Sequence, residues 1–184
     1  MRPHIQDPDG SVAAWAKSFA ADNRGRTTDV LGRMLDVFRD TFSYNAREAE
    51  GTQSPGETLR SKSGTCRDYA WLVIEALRRL GFASRFVSGY LYDSALDGGE
   101  AGMLGSGATH AWLQVFLPGA GWTHYDPTNR INAGYDLIPV AIARHPGQAI
   151  PLAGSWFGNA QDYLGMSVNV AVRKLGDVSE PSVG

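Results

Sequence analysis

An apolar stripe that begins directly after a polar turn constrains the fold more than any other feature of the sequence. Between about Arg67 and Leu80 the apolar residues recur at the spacing of one helical face, and Gly81 supplies a helix end. The preceding residues 61–65 are polar and include a glycine. The sequence therefore predicts a helix that begins at a turn and packs one face on a core. The stripe consists of Tyr69, Leu72, Val73, Ala76, Leu77 and Leu80.

The only cysteine of the chain, Cys66, lies where the turn becomes this helix. Unpaired backbone N–H groups and the helix dipole favour negative charge at a helix N-terminus, and the thiolate is the nucleophilic form of cysteine. The adjacent Arg67 is a cation that would act in the same direction. A free cysteine is also commonly a small buried core residue. The polar neighbours Gly64, Thr65 and Asp68 make a catalytic thiol the preferred interpretation.

A catalytic thiol needs a base, and His110 is the histidine best placed to serve as one. It opens a run of β-formers and aromatics, residues 110–117, that predicts a strand. Side chains alternate along a strand, so Trp112 shares the face of His110. His4 and His145 lie in polar or proline-rich segments and are expected on the surface.

Asp126 is the predicted partner of His110. It ends a second strand candidate, residues 121–126, and a glycine-rich hairpin loop separates the two strands. If the strands pair antiparallel, Asp126 returns to the end of the sheet where His110 begins. His124 is the rival base because it shares a face with Asp126, but it should lie opposite the middle of the preceding strand.

These residues belong to four ordered blocks that together resemble the transglutaminase-like superfamily, in particular its bacterial cysteine protease branch. The resemblance is strongest over residues 28–129 and continues more loosely to about residue 172. It implies that Cys66 is the nucleophile, His110 the general base and acid, and Asp126 the residue that orients His110. The implied fold is α+β and papain-like, with the nucleophile at the N-terminus of a helix packed on an antiparallel sheet. The blocks are residues 64–70, 76–90, 109–112 and 122–129.

An acyl-transfer site also needs donors for an oxyanion and walls for a substrate groove. The backbone N–H of Cys66 is the natural first donor. Tyr44 and Gln53, in the segment before the nucleophile, are candidates for the second donor. Trp112 and Trp122 are candidates for groove walls, although large aromatics at such positions are commonly core residues.

The function that the resemblance implies is thiol-dependent acyl transfer on a peptide or protein amide, including a glutamine-type side-chain amide. The thioester would pass to water or to an amine acceptor, and we expect hydrolysis slightly more than transamidation. No cofactor is expected. A metal site built from Cys66, His110, His124 and Asp126 is disfavoured because these ligands lack close-spaced pairs. The alternative function is a non-catalytic binding or scaffold module that retains the fold.

The global properties are those of one globular domain over residues 1–184. A hydrophobic share of 43% with 20% charged residues is ordinary, and the net charge of −2 without a basic block predicts no nucleic-acid partner. No apolar run is long enough to predict a membrane span, so a cytoplasmic location is expected. Bacterial relatives commonly carry a β-rich region before the core. Too few residues precede Ser11 to form one, so we expect either a short form or part of a longer protein.

Hydrophobic periodicity and turn residues predict the remaining elements. Helices are expected over residues 11–21 and 28–41, packed beside the helix that follows Cys66. Residues 46–63 are expected to form a loop with a possible turn at 57–59, and the tail after about residue 175 should fray. Residues 93–108 form a glycine-rich segment that could be a lid or a simple connection. Further strands are expected over residues 83–92, 141–144 and 166–173.

Overall fold

The computed structural model describes residues 7–20, 26–45, 51–93, 104, 108–132, 134, 136–152, 154, 157–162, 164–165 and 169–172. The α-helices in these ranges are α1 (Ser11–Ala20), α2 (Thr27–Thr41), α3 (Pro55–Ser61) and α4 (Cys66–Arg79). The strands there are β1 (Ser43–Tyr44), β2 (Ser63–Gly64), β3 (Ser84–Leu91), β4 (Thr109–Leu117), β5 (Gly121–Asp126), β6 (Ile131–Asn132) and β7 (Leu137–Ala143). Short 3₁₀ turns span Pro146–Gln148 and Ala160–Asp162.

Five of the strands form one antiparallel sheet in the order β6-β5-β4-β3-β7. The helix α4 packs on this sheet, and α1 and α3 pack on α4. The short strand β1 pairs in parallel with β2, which immediately precedes α4. The predicted α+β class, with the cysteine at the start of a helix on an antiparallel sheet, is confirmed.

The apolar face of α4 forms the centre of the core, as its periodicity predicts. Leu72 and Leu77 are fully buried, and they belong to the same cluster as Phe86 on β3 and Leu113 on β4. Each fully buried side chain of this size contributes about 1.5–3 kcal/mol relative to an exposed one. The burial of this face fixes the position of the helix start, and therefore of Cys66, above one end of the sheet.

The pairing of β4 with β5 sets the position of the second half of the site. Leu117 pairs with Gly121, Gln114 with His124, and Leu113 with Tyr125. This is the predicted hairpin, and it brings Asp126 near the beginning of β4, where His110 lies.

The prediction of a loop over residues 46–63 is wrong for α3. Ser54 caps this helix, since its hydroxyl accepts a hydrogen bond from the backbone N–H of Glu57 at 3.3 Å, and Pro55 occupies the first turn. The spacing of Ser54 and Glu57 is that of a capping box, a signal that the sequence does contain. The helix ends at Lys62, which has a φ of 52° in the left-handed region.

Two strand predictions also differ from the structure. The predicted strand 141–144 begins four residues earlier, at Leu137, and includes Pro139. In the described sheet β7 is an edge strand, where the missing N–H of a proline is tolerated. For the predicted strand 166–173, residues 169–172 form no strand, and the remainder lies outside the described residues. Most of the predicted lid, residues 94–103 and 105–107, lies outside them too.

Candidate active site

Cys66 is the first residue of α4, with Thr65 as the N-cap. It is 6% exposed and lies at the edge of the core. The first four N–H groups of a helix have no partner within the helix, and the dipole adds partial positive charge there. The position that the sequence predicts for the thiol is therefore present in the structure.

A buried carboxylate holds the turn that carries Cys66. Asp68 accepts hydrogen bonds from the backbone N–H of Thr65 at 2.8 Å, from its hydroxyl at 2.9 Å, and from the backbone N–H of Gln53 at 2.6 Å. A Cβ at Gly64 would lie 2.9 Å from the Cβ of Asp68, so only glycine permits this close approach. The spacing of Thr65 and Asp68 is a second capping-box signal in the sequence, which the sequence analysis did not use.

Arg67 connects the start of α4 to the 3₁₀ turn after β7. Its guanidinium donates to the carbonyl oxygens of Pro146 at 2.9 Å and Ala149 at 3.2 Å, and lies over the ring of Phe86. Burial lowers the pKa of Arg67, whereas the charges of Cys66 and Asp68 act in the opposite direction. The cation is thus held next to the thiol by carbonyls and an aromatic ring.

His110 and Asp126 form a hydrogen-bonded pair that is shielded from water. His110 Nε2 lies 2.8 Å from Asp126 Oδ2, and both side chains are 0% exposed. Asp126 also accepts from the backbone N–H of Thr128 at 2.9 Å and from the side-chain amide of Asn129 at 2.9 Å. These bonds fix the carboxylate, and Asn129 is a supporting residue that the sequence analysis did not identify.

The pKa of His110 is raised from 6.5 to about 10. Burial opposes the charged form, but hydrogen bonding to Asp126 and Cys66 and the negative charges of both outweigh that effect. The second ring nitrogen, Nδ1, is buried and has no hydrogen bond of ordinary geometry to any described residue. Hydrogen bonds at catalytic sites are often long or poorly aligned without substrate. Nδ1 is the atom left for the thiol of Cys66.

Tyr44 lies beside the same thiol. The parallel pairing of Tyr44 with Gly64 brings it to the turn before α4. Burial, followed by the charge of Cys66 and a hydrogen bond to it, raises the pKa of Tyr44 to about 12. Its hydroxyl therefore keeps its proton and can donate a hydrogen bond near the thiol.

The other candidates for an oxyanion donor or groove walls, Gln53, Trp112 and Trp122, make other contacts or lie elsewhere. The side-chain amide of Gln53 donates to Asp68 Oδ2 and to the carbonyl oxygen of Ser63, both at 3.2 Å, so it is committed to the turn. Trp112 is fully buried and stacks on His110, with ring centroids 5.9 Å apart. Trp122 is 38% exposed, at the far end of the hairpin.

Of the other histidines, the two that the structure describes, His124 and His145, are separate from the pair formed by His110 and Asp126. Both ring nitrogens of His124 face other side chains, namely Trp112 and Gln114. His145 is half-buried rather than on the surface, because its ring packs edge-on against Trp71. His4 lies outside the described residues.

A pocket of about 110 Å³ opens between β3, β7 and residues 149–151. Thr109, directly before His110, contributes to its wall, and Ile150 supplies apolar surface. Ala149 lines the same pocket and accepts the hydrogen bond from Arg67. The pocket is thus connected to the start of α4 through the contact of Ala149 with the Arg67 side chain. Within the described residues no group of three or more metal-ligating side chains occurs, and no helix has the length and apolar character to cross a bilayer.

The fold and this arrangement define the class of papain-like α+β proteins, in which a thiol at a helix start lies beside an imidazole paired with a carboxylate. The sequence model of the transglutaminase-like superfamily matches residues 13–127. The chain belongs to that superfamily, which confirms the resemblance drawn from its sequence.

The chain is also similar to individual proteins of known sequence or structure. The uncharacterized protein Rv2569c of Mycobacterium tuberculosis is 34% identical over 149 residues, which cover 74% of this chain and 47% of that protein. The protein-glutamine gamma-glutamyltransferase of Pseudomonas aeruginosa is 31% identical over 124 residues, covering 66% of this chain and 18% of that enzyme. A crystal structure from Cytophaga hutchinsonii aligns with a TM-score of 0.58 at 19% identity, over 75% of this chain and 44% of that one. The chain thus spans about half the length, or less, of these three proteins.

Proposed function

We propose that this protein is a thiol-dependent acyl-transfer enzyme that acts on amide bonds of peptides or proteins. The observation that carries the proposal is the buried pair of His110 and Asp126, 2.8 Å apart, with the other imidazole nitrogen left for Cys66. Membership of the superfamily supports the same chemistry, because the relative from Pseudomonas aeruginosa is named for glutamyl transfer from protein glutamine.

In the first half of the reaction, the Cys66 thiolate attacks the carbonyl carbon of the amide and forms a carbon–sulfur bond. The backbone N–H of Cys66 and the hydroxyl of Tyr44 donate to the oxyanion. The imidazolium of His110 gives its proton to the amide nitrogen, and the carbon–nitrogen bond breaks to release an amine. Asp126 holds the imidazole in one orientation and stabilises its charged form.

In the second half, a nucleophile attacks the thioester carbon while His110 takes the proton of that nucleophile. The carbon–sulfur bond breaks and the thiolate is restored. Water as nucleophile gives a carboxylic acid, and a primary amine gives a new amide. We propose hydrolysis as the slightly preferred outcome, because the sequence shows no acidic patch that would collect amines.

The acyl side of the substrate lies, in this proposal, beside the pocket lined by Thr109, Ala149 and Ile150. Its lining mixes apolar residues such as Val140 with polar ones such as Ser88, and its small volume suits a small side chain next to the amide that reacts. A cytoplasmic location stays a prediction from the sequence.

The test is incubation of the protein with a glutamine-containing peptide, with and without a fluorescent primary amine, followed by mass spectrometry. The proposal predicts cleavage, deamidation or amine incorporation that disappears in Cys66→Ser. Products formed equally by wild type and Cys66→Ser would contradict it. Binding of the peptide without any Cys66-dependent product would favour the alternative, a binding module that keeps the fold.

A further inference from the structure

His124, the rival base of the sequence analysis, lies at the centre of a hydrogen-bonded chain on the face of the sheet that carries His110. Its Nδ1 accepts a hydrogen bond from the indole N–H of Trp112 at 2.7 Å. Its Nε2 lies 2.7 Å from the side-chain amide nitrogen of Gln114, the residue with which it pairs across the hairpin. Neither ring nitrogen of His124 is left for proton transfer to a substrate.

The indole that His124 holds is the surface against which the His110 imidazole packs. Trp112 is fully buried, and its ring stacks on that of His110 at an interplanar angle of 24°. A Cβ at Gly89 would lie 2.8 Å from Cη2 of Trp112 and would collide with the carbonyl oxygen of Ile138. Because Gly89 has no side chain, the indole can lie close against β3. Gly89 is also the residue of β3 that pairs with His110.

The donors and acceptors in this hydrogen-bonded chain determine which ring nitrogen of His124 carries the proton. An indole N–H only donates, so Nδ1 of His124 must carry a lone pair, and the single proton of the neutral ring belongs on Nε2. An N–H at Nε2 needs an acceptor, which the Gln114 amide supplies only when it is turned so that its oxygen, rather than its nitrogen, faces His124. In the structure that oxygen accepts a hydrogen bond from Nε of Arg85 at 2.7 Å. His124 and Arg85 therefore compete for the one carbonyl oxygen of Gln114, and Arg85 has a second contact to hold it, since its guanidinium lies 3.9 Å from the Trp122 ring centroid.

Burial and the charge of Arg85 lower the pKa of His124, which agrees with a ring that stays neutral. The arrangement therefore supplies a permanent acceptor for the Trp112 indole. Protonation of Nδ1 would place two donors against each other and break the bond to Trp112.

We propose that His124 is a positioning residue for His110: as a neutral acceptor it fixes the indole of Trp112, and the indole fixes the plane of the His110 ring. Asp126 holds the ring at one nitrogen, which leaves rotation about that hydrogen bond to be restrained. The stacked indole restrains it, so that Nδ1 keeps facing Cys66. This inference rests on the proposed function, since it assigns His124 a part in that reaction.

The test compares His124→Phe, which keeps an aromatic ring but loses the acceptor, with His124→Gln, which restores an acceptor for the indole. Two rates are measured: alkylation of Cys66 by iodoacetamide near neutral pH, and turnover of the peptide substrate. Misplacement of a reacting group by about 1 Å can cost about 100-fold in rate. We expect His124→Phe to lose about 10- to 100-fold in both rates. We expect His124→Gln to recover most of that loss.

Two further measurements separate positioning from folding. The proton resonance of the Trp112 indole N–H, assigned through Trp112→Phe, should shift in His124→Phe and return in His124→Gln. The double variant Trp112→Phe with His124→Phe should be no slower than either single variant, because both remove the same bond. Thr123→Val, on the opposite face of β5, is the matched control and should change neither rate.

Equal rates in wild type and His124→Phe, with the wild-type rates dependent on His110, would overturn the positioning role and leave the proposed function standing. Failure of His124→Gln to exceed His124→Phe would overturn it as well. If His124→Phe does not fold, Trp112→Phe and His124→Gln decide the question through the same two rates. Wild-type rates that do not depend on His110 would instead refute the proposed function itself.

Discussion

The two ends of the β4–β5 hairpin differ in the exposure of their side chains and in the contacts those side chains make. At one end His110 and Asp126 are 0% exposed and bonded at 2.8 Å. At the other end Phe116 and Trp122 are 44% and 38% exposed and pack edge-to-face with ring centroids 5.6 Å apart. Charge interactions strengthen where water is excluded, so the same alternation of side chains gives a strongly coupled histidine–carboxylate pair at one end and ordinary surface packing at the other.

The middle of the hairpin links the two ends. Gln114 and His124 are paired there, and their contacts reach Trp112 on the buried side and Arg85 on the exposed side. Side-chain exposure thus increases along a single face of the sheet, from His110 to Phe116. If function is confined to the buried end, substitutions there should reduce activity and substitutions at the exposed end should not.

The largest effect is expected from Asp126→Asn. The change keeps size but reverses the hydrogen bonding to His110, so the imidazole loses its orientation and the partner of its charged form. We expect turnover to fall by about 10³–10⁴-fold. Steady-state kinetics on the peptide substrate measure it. Asp9→Asn, at a half-exposed carboxylate paired with Arg60, is the control and should leave turnover unchanged.

Gly89→Ala should damage the buried end next most severely. The added methyl group has no space against Trp112 and the Ile138 carbonyl, so the indole or the strand must move. We expect a loss of about 1–3 kcal/mol in the free energy of unfolding, together with lower activity. Gly32→Ala in α2, where a Cβ meets nothing within 4 Å, should instead stabilise the protein by about 0.5–1 kcal/mol. Urea denaturation of both variants distinguishes the outcomes.

The pH dependence of stability tests the charge state of the buried pair. The pKa of His110 is raised to about 10 in the folded protein, above its ordinary value of 6.5. The native state therefore binds the proton more tightly, and the resulting stabilisation is complete below about pH 6.5 and is lost as the pH rises towards about 10. Urea denaturation across this window should show a decline in the free energy of unfolding that is absent in His110→Asn. Parallel curves for the two proteins would show that His110 does not carry that charge.

The smallest effect is expected from Trp122→Ala at the exposed end. The substitution removes the contacts with Arg85 and Phe116, which are worth about 0.5–1 kcal/mol at exposed sites. Turnover should change by less than about 2-fold, because the residue does not touch the buried pair. A large loss of turnover would show that the exposed end also contributes to the reaction.

The sequence predicts most of what depends on local pattern. The helix after Cys66, the hairpin and the approach of Asp126 to His110 follow from periodicity, turn residues and strand pairing. The α3 helix was missed although Ser54 and Glu57 carry its capping signal, and the early start of β7 was missed because Pro139 resembles a strand break. The hydrogen bonds of Asp68 to Thr65 had a similar local signal, the capping-box spacing of these two residues.

The support for the site was harder to predict because it depends on contacts between strands. The bond from Trp112 to His124 depends on side-chain rotamers at neighbouring positions of two strands. The need for Gly89 depends on how closely β7 approaches β3. The contact of Arg67 with residues 146–149 joins segments about eighty positions apart in the chain. None of these leaves a periodic pattern in the sequence.

The most direct test of the account is the rate of Cys66 alkylation by iodoacetamide from about pH 4 to about pH 10, in wild type and His110→Ala. A free cysteine titrates near ~8.5, and only the thiolate reacts. We predict fast alkylation of the wild type well below that pH, and its loss in His110→Ala because the imidazolium no longer stabilises the thiolate. A thiol that is inert until the protein unfolds, or that reacts equally in both proteins, would contradict the central claim that these residues form one reactive site.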